Sequence, residues 1–240
     1  LKKRKGIVYQ ITALLGKGVI RLLEIPVALS VPRNAVFDSS QFIWVEQLEK
    51  QWLDIKHEYL ALAETPQILP DIRDISEEQQ HVISPNLWTF YPFILYGIPL
   101  QGQLESCPKT AQAIAGIPNC TTAFFSVLKP GAEIAPHRGA YKGYLRLHLG
   151  VVVPSPEQAC GLRLGNKTYH WKEGKSLLFD DTFVHDAFNN AVSERVVLYI
   201  DFIRPMPKVW MQMSQGLTWI ISKSEYVQGS IRNLSMFKSN

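Results

Sequence analysis

Hydrophobic positions in this chain recur with two different periods, and the change falls near residue 120. In the first half, Leu48, Trp52, Ile55, Tyr59 and Leu62 follow one another at spacings of four, three, four and three. That stripe predicts an amphipathic helix, opened by an N-cap signal at Phe37-Asp38-Ser39-Ser40 and closed at Glu64-Thr65-Pro66. A second helix is expected from Ser106-Cys107-Pro108 to Gly116-Ile117-Pro118. Between them, Pro70–Gln80 reads as loop, and Trp88–Tyr96 as an aromatic strand disrupted by Pro92. From Thr122 the period becomes two. Ala123–Leu128, Tyr144–Val153, Gly161–Leu164, Thr168–Trp171, Ser176–Phe179 and Val196–Phe202 read as strands, with Pro130-Gly131, Gly165-Asn166 and Glu173-Gly174 as turns. Many short strands in so compact a segment predict a mainly β fold with flanking helices, a barrel or jelly roll. After Pro205, Val209, Trp210, Met213, Leu217, Ile220 and Ile221 allow one more helix before a tail.

The expected organisation is an N-terminal helical segment over 1–36, a β domain with supporting helices over 37–207, and a C-terminal helix and tail over 208–240. A chain of 240 residues is long enough for one well-packed domain, and 46% hydrophobic with 19% charged residues argues against disorder. A net charge of +4 without a basic recognition helix points away from nucleic acid. Cys107, Cys120 and Cys160 lack metal spacing and read as reduced thiols, hence a cytoplasmic expectation.

The N-terminus changes that picture slightly. LKKRK precedes an apolar stretch broken by Lys17, Arg21, Glu24 and Pro26, and its longest uncharged run, Gly6–Gly16, is too short to span a bilayer. Pro26 and Pro32 are expected to end this helix. Ile11, Leu15, Leu22 and Leu23 fit one face opposed by Lys17 and Arg21. Two readings stand: a helix on an anionic membrane surface, giving peripheral membrane contact, or a helix packed on the domain.

Alternation makes the polar residues of the β segment informative. In Tyr144–Val153, Arg146 and His148 share a face opposite an all-apolar row of Leu145, Leu147, Leu149 and Val151. Arg195 shares a face with Val197, Tyr199 and Asp201, and Ser126 lies with Phe124 and Leu128. A cavity lined by Ser126, Arg146, His148 and Arg195 is costly unless something anionic fills it. His137 and His185 fall within the same β unit, and imidazoles are natural ligands for iron or another first-row metal.

FFSVLKPG, PHRG, LRLHLGVVVP, GNKTYHWKEGKSLLFDDTFVH and ERVVLYIDFIRP together resemble the aspartyl/asparaginyl β-hydroxylase family of iron(II)- and 2-oxoglutarate-dependent dioxygenases, closely over Thr121–Pro205 and more weakly back to Phe37–Glu64. The resemblance implies a double-stranded β-helix, a cupin-like jelly roll, with Fe(II), 2-oxoglutarate as co-substrate and O2. It implies His137 and His185 as the metal ligands, and Arg195 with Ser126 on the distal carboxylate of 2-oxoglutarate. His148 matches a histidine near the co-substrate, and Arg146 an arginine lining the site. The implied reaction hydroxylates an amino-acid residue, a peptide or a small amino-acid-derived molecule while 2-oxoglutarate is cleaved to succinate and carbon dioxide.

Two departures matter. Most such dioxygenases add a carboxylate ligand two residues after the first histidine, where this chain has Gly139. Peptide-hydroxylating members share that feature, with water in the open position and Asp181 placed to hold it; in halogenases chloride takes it. Lipid-hydroxylating members carry an acid there, so Gly139 speaks against a lipid substrate. Tyr144 stands where peptide hydroxylases have another arginine, and Arg138, Tyr141 and Lys142 either contact substrate or form a solvated loop. The rival readings are a lipid acyl-chain hydroxylase at the membrane surface, favoured by the basic N-terminus, and a non-catalytic jelly roll that binds a small ligand.

Overall fold

The computed structural model describes residues 7–64, 69–75 and 81–236. Helix α1 (Ile7–Ser30) is followed by the short strand β1 (Val36–Phe37), α2 (Ile43–Lys50) and α3 (Trp52–Glu64). A single-turn helix α4 (Ile72–Ile75), strands β2 (Trp88–Leu95) and β3 (Ile98–Pro99), and helices α5 (Gln101–Ser106) and α6 (Pro108–Ala115) come next. Eight strands then run on: β4 (Cys120–Leu128), β5 (Ala132–His137), β6 (Tyr144–Val152), β7 (Cys160–Leu164), β8 (Lys167–Tyr169), β9 (Ser176–Phe179), β10 (His185–Asn189) and β11 (Arg195–Ile203). Helices α7 (Lys208–Ser222) and α8 (Glu225–Met236) close the described chain.

The strands form two antiparallel sheets, β1-β9-β6-β11-β4-β2-β3 and β5-β10-β7-β8, which face each other as a jelly roll with helices outside. Alternation along the large sheet creates two cores. Leu145, Leu147, Leu149 and Val151 join Phe125, Val127, Leu198 and Ile200 against Leu48, Ile55 and Tyr59 of the helices. Phe124, Leu128, Val197 and Tyr199 point the other way, toward Ile134, Leu162, Leu164 and Ala187 of the small sheet. Each such side chain fully buried contributes about 1.5–3 kcal/mol, so the two-residue period decides which side of the sheet faces the cavity.

Several boundaries differ from expectation, each for a local reason. Pro26 lies inside α1, which runs on to Ser30. Asp38 does cap, accepting from the Ser40 N–H at 2.9 Å, but what it caps is a 3-10 turn over Ser39–Gln41. The expected single helix is two, α2 and α3, separated at Gln51, whose N–H closes the last turn of α2 on Leu48. Its closing residues Thr65 and Pro66, like Ser76–Gln80 of the expected loop, lie outside the described residues. The α6 N-terminus takes its cap from a neighbouring helix: Glu58 of α3 accepts from the Lys109 and Thr110 N–H groups at 2.7 and 2.8 Å. The expected C-terminal tail is helix α8 as far as Met236. The strands missing from the sequence reading are the two-residue β1 and β3 and, of more consequence, β5 and β10, which carry the histidines. Among the described residues no helix is long and apolar enough to cross a membrane, and Cys107, Cys120 and Cys160 are free thiols.

Candidate active site

The small sheet presents the two histidines together. β10 pairs with β5 so that His185 sits directly opposite His137, and the ring centroids are 4.3 Å apart. His137 Nδ1 lies 2.9 Å from the Ala135 carbonyl and His185 Nδ1 lies 2.8 Å from that of Phe183. Each Nδ1 therefore carries the proton and donates it, which leaves Nε2 of both rings with a lone pair. Burial pushes His185 down to about 3, helped by His137 and Arg146, and burial also lowers His137. Neutral imidazoles are the form a metal needs. Among the described residues no three His, Cys, Asp or Glu side chains converge as a metal cluster, so an ion here would have two protein ligands from this set.

Gly139 lies where the structure leaves no room for a side chain. A Cβ there would lie inside the van der Waals envelope of the Asp181 carboxylate, and the Gly139 N–H donates to the Asp181 carbonyl at 2.7 Å. Asp181 thus fills the space a side chain at 139 would take. It is buried, pairs with Arg146 at 2.8 Å, and burial pushes its carboxyl up to about 6 against the pull of that arginine.

Arg146 is held from two sides. Its Nε donates to Asp201 Oδ1 at 2.8 Å and its Nη2 to Oδ2 at 3.0 Å, across the β6–β11 register that sets Arg146 opposite Asp201. Its guanidinium also lies 4.4 Å from the centre of the Tyr199 ring. Burial alone would depress its pKa; Asp181 and Asp201 override that and raise it well above the usual value. Its charge is therefore matched within the protein.

Arg195 is the opposite case. It is 2% exposed, its Nη1 reaches only the Ser126 carbonyl and hydroxyl at 3.3 and 3.4 Å, and its Nε has no partner among the described residues. Burial lowers it to about 10. Trp171 lies under the guanidinium at 4.5 Å, with its own Nε1 unpartnered. Beside them His148 is buried with both ring nitrogens unpartnered, and burial, then Arg195 and Arg146, hold its pKa well below the ordinary value. Ser126 receives the Trp88 indole N–H at 2.9 Å; since an indole only donates, the serine proton is free to point into the cavity.

All seven sequence-predicted residues thus line one space between the sheets or its rim: His137, His185 and Asp181 on the small-sheet side, Ser126, Arg146, His148 and Arg195 on the large sheet. Tyr141 and Lys142 are buried rather than part of a solvated loop, whereas Arg138 is exposed and pairs with Glu24. Tyr141 is buried with its hydroxyl 2.8 Å from Ser214, and Lys142 binds Asp180 at 2.7 Å, while Asp180 also pairs with the buried Arg204. Tyr144 meets Thr218 at 2.8 Å. The sequence places Trp88 and Trp171 only within expected strands; their contacts with Ser126 and Arg195 join segments far apart in the chain.

A jelly roll with two cross-strand histidines facing a buried arginine defines the class. The family model described as aspartyl/asparaginyl beta-hydroxylase matches residues 49–205, and the chain belongs to that family. It is 34% identical over 202 residues to an ornithine lipid ester-linked acyl 2-hydroxylase of Rhizobium tropici, covering 84% of this chain and 67% of that one. It is 30% identical over 168 residues to human aspartyl/asparaginyl beta-hydroxylase, covering 67% of this chain but only 21% of that protein. Against the cupin domain of an Enterobacter cloacae transcriptional regulator the TM-score is 0.36 at 8% identity, over 50% of this chain and all of that one.

Proposed function

We propose that this protein is an iron(II)- and 2-oxoglutarate-dependent hydroxylase of an amino-acid residue, a peptide or a small amino-acid-derived molecule. The observation that carries the reading is Arg195: a buried guanidinium with an unpartnered Nε, beside a serine hydroxyl free to donate and across from two neutral histidines. Buried cations need anionic partners, and a planar guanidinium fits a carboxylate with two parallel bonds. The donor set suits the co-substrate and the metal. His137 and His185 would hold iron through Nε2, and Arg195 and Ser126 the distal carboxylate of 2-oxoglutarate, with His148 and Trp171 as further donors.

Iron with 2-oxoglutarate and O2 supplies, when bound, the power to oxidise an unactivated C–H bond. The chain's own residues orient and enclose. Trp88 fixes the Ser126 oxygen as acceptor and turns its proton to the cavity. Asp201 holds Arg146, and Arg146 holds Asp181 beside Gly139, where the carboxylate can orient a water next to the metal. Anaerobic addition of iron(II) and 2-oxoglutarate should produce a metal-to-ligand charge-transfer band; its absence sinks the proposal.

A second substrate reading, a lipid acyl chain, is favoured by the relative that matches 84% of this chain and is named an acyl 2-hydroxylase of ornithine lipid. Gly139 alone does not decide against it. Product masses from peptides, free amino acids and acyl lipids separate the two. A chlorinated product in high chloride would overturn hydroxylation itself.

A further inference from the structure

Both faces of the C-terminal half of α1 are apolar. Its inner face, Val27 with Val31 just beyond the helix, is buried against Tyr141 and Leu217. Its outer face carries Leu22, Ile25 and Leu29, which are 67%, 55% and 77% exposed. Spacings of three and four place these three on one line of the helix. A helix apolar all round is normally covered on every side, and an exposed aliphatic line of this kind marks a surface that meets something other than water.

The charges beside the line say what that is. Arg21 and Arg33 are exposed, and neither pairs with an acid among the described residues. With Glu24, Ile25, Arg138 and Lys142 they border a cleft of about 380 Å³. Glu24 is taken up by Arg138 at 2.8 Å and Lys142 by Asp180, so the excess charge of the cleft is that of the two arginines. Ile25 belongs to both the line and the cleft. Arg138, which also lines the cleft, directly follows His137 in the chain. Aliphatic line and cationic cleft therefore share Ile25, the cleft includes the chain neighbour of His137, and LKKRK ahead of α1 carries the same sign.

We propose that the Leu22–Ile25–Leu29 line of α1 docks this protein on an anionic phospholipid bilayer, with Arg21 and Arg33 at the headgroups and the histidine site beside the bilayer surface. Aliphatic side chains on a helix lying in the interface enter the headgroup boundary, and flanking arginines gain from the negative surface potential. The contact is peripheral and stands apart from the hydroxylase reading, since neither iron nor co-substrate takes part in it. It would place the mouth of the site where the acyl chain of the second substrate reading is found.

Sedimentation with vesicles tests it. The whole protein should pellet with phosphatidylcholine/phosphatidylglycerol vesicles and only weakly with phosphatidylcholine alone. Leu22→Gln/Ile25→Gln/Leu29→Gln should lower partitioning on both by at least about tenfold, from the lost apolar burial. Arg21→Gln/Arg33→Gln should cost roughly fivefold per cation on the anionic vesicles only. Both variants should keep the parent's affinity for iron and 2-oxoglutarate, so failure of docking and failure of the active-site proposal read out separately. Docking is overturned if the parent stays in the supernatant, or if the triple variant pellets like the parent. It is equally overturned if the line mediates self-association in lipid-free ultracentrifugation and the protein ignores vesicles.

Discussion

Burying a guanidinium to 2% exposure makes its neighbours decisive, and Arg195 has only a carbonyl and a hydroxyl. Replacing it by lysine keeps the charge but loses the fork, and a charge-assisted hydrogen bond is worth about 1.5–3 kcal/mol. Arg195→Lys should therefore weaken 2-oxoglutarate binding by roughly 10- to 150-fold while iron affinity changes little, measured by titration of each. Gly139 shows where one residue excludes another. A carboxylate added at 139 would collide with Asp181, so Gly139→Asp alone should lose about 1–3 kcal/mol of stability through overpacking, and iron affinity should not improve. The paired exchange Gly139→Asp/Asp181→Gly should recover the melting temperature and tighten iron. If the single variant melts like the parent, the clash is absent. Of these residues, alternation alone placed Ser126, Arg146, His148 and Arg195 on one face. It could not show that Arg146 is already neutralised by Asp181 and Asp201, because the partners come from two other segments of the chain.

At the scale of elements, the strands that were legible are those with one apolar face. β4, β6 and β11 alternate because one side packs on helices and the other on the cavity. β5 and β10 were not legible: AEIAPH and HDAFN put proline, histidine, aspartate and asparagine where a periodic strand would carry aliphatic residues, since β5 is the edge of its sheet and the pair brings His137 and His185 together. The loop between β9 and β10 is instead fixed by charge. Asp180 is fully buried and bonds Lys142, Arg204 and Thr182, joining the segments before β6, after β11 and before β10. Burial alone would raise its carboxyl, but Arg204, Lys142 and Thr182 outweigh that and hold it below the ordinary 3.8. A depressed carboxyl contributes stability that is present above the unfolded value and is lost as pH falls through the folded one. Asp180→Asn should thus cost about 3–5 kcal/mol near neutrality, because it strands a buried arginine whose Nε and Nη1 already lack partners. The deficit should shrink as pH drops below 3.8, where the parent loses the same interaction. Denaturant midpoints across that range check it, and a constant deficit would remove Asp180 from the account.

Over the whole molecule, the residues matched to the family, 49–205, contain every proposed ligand, while α1 and α7 lie outside them and pack together on Tyr141. Their packing was only partly legible: periodicity put Leu22 and Leu23 on one face of α1 without saying which side meets a neighbour, and in the structure Leu23 packs in the seam with Tyr141 and Leu217 while Leu22 is exposed. Val27 is 0% exposed in the same seam, whereas Leu29 faces outward. The seam also reaches the segment that joins His137 to β6, since Tyr141 lies in it and Glu24 of α1 pairs with Arg138 there. Val27→Asp places an unpaired charge in the seam and should destabilise by about 3 kcal/mol or more, freeing α1 from α7. Leu29→Asp should stay within about 0.5 kcal/mol of the parent, because that side chain touches little. Trypsin should then cut faster at Arg21 and Arg33 in Val27→Asp than in Leu29→Asp, and only the former should weaken turnover, through the displaced 138–144 segment. Equal cleavage and equal melting of the two variants would mean that α1 is not seated on α7 in solution.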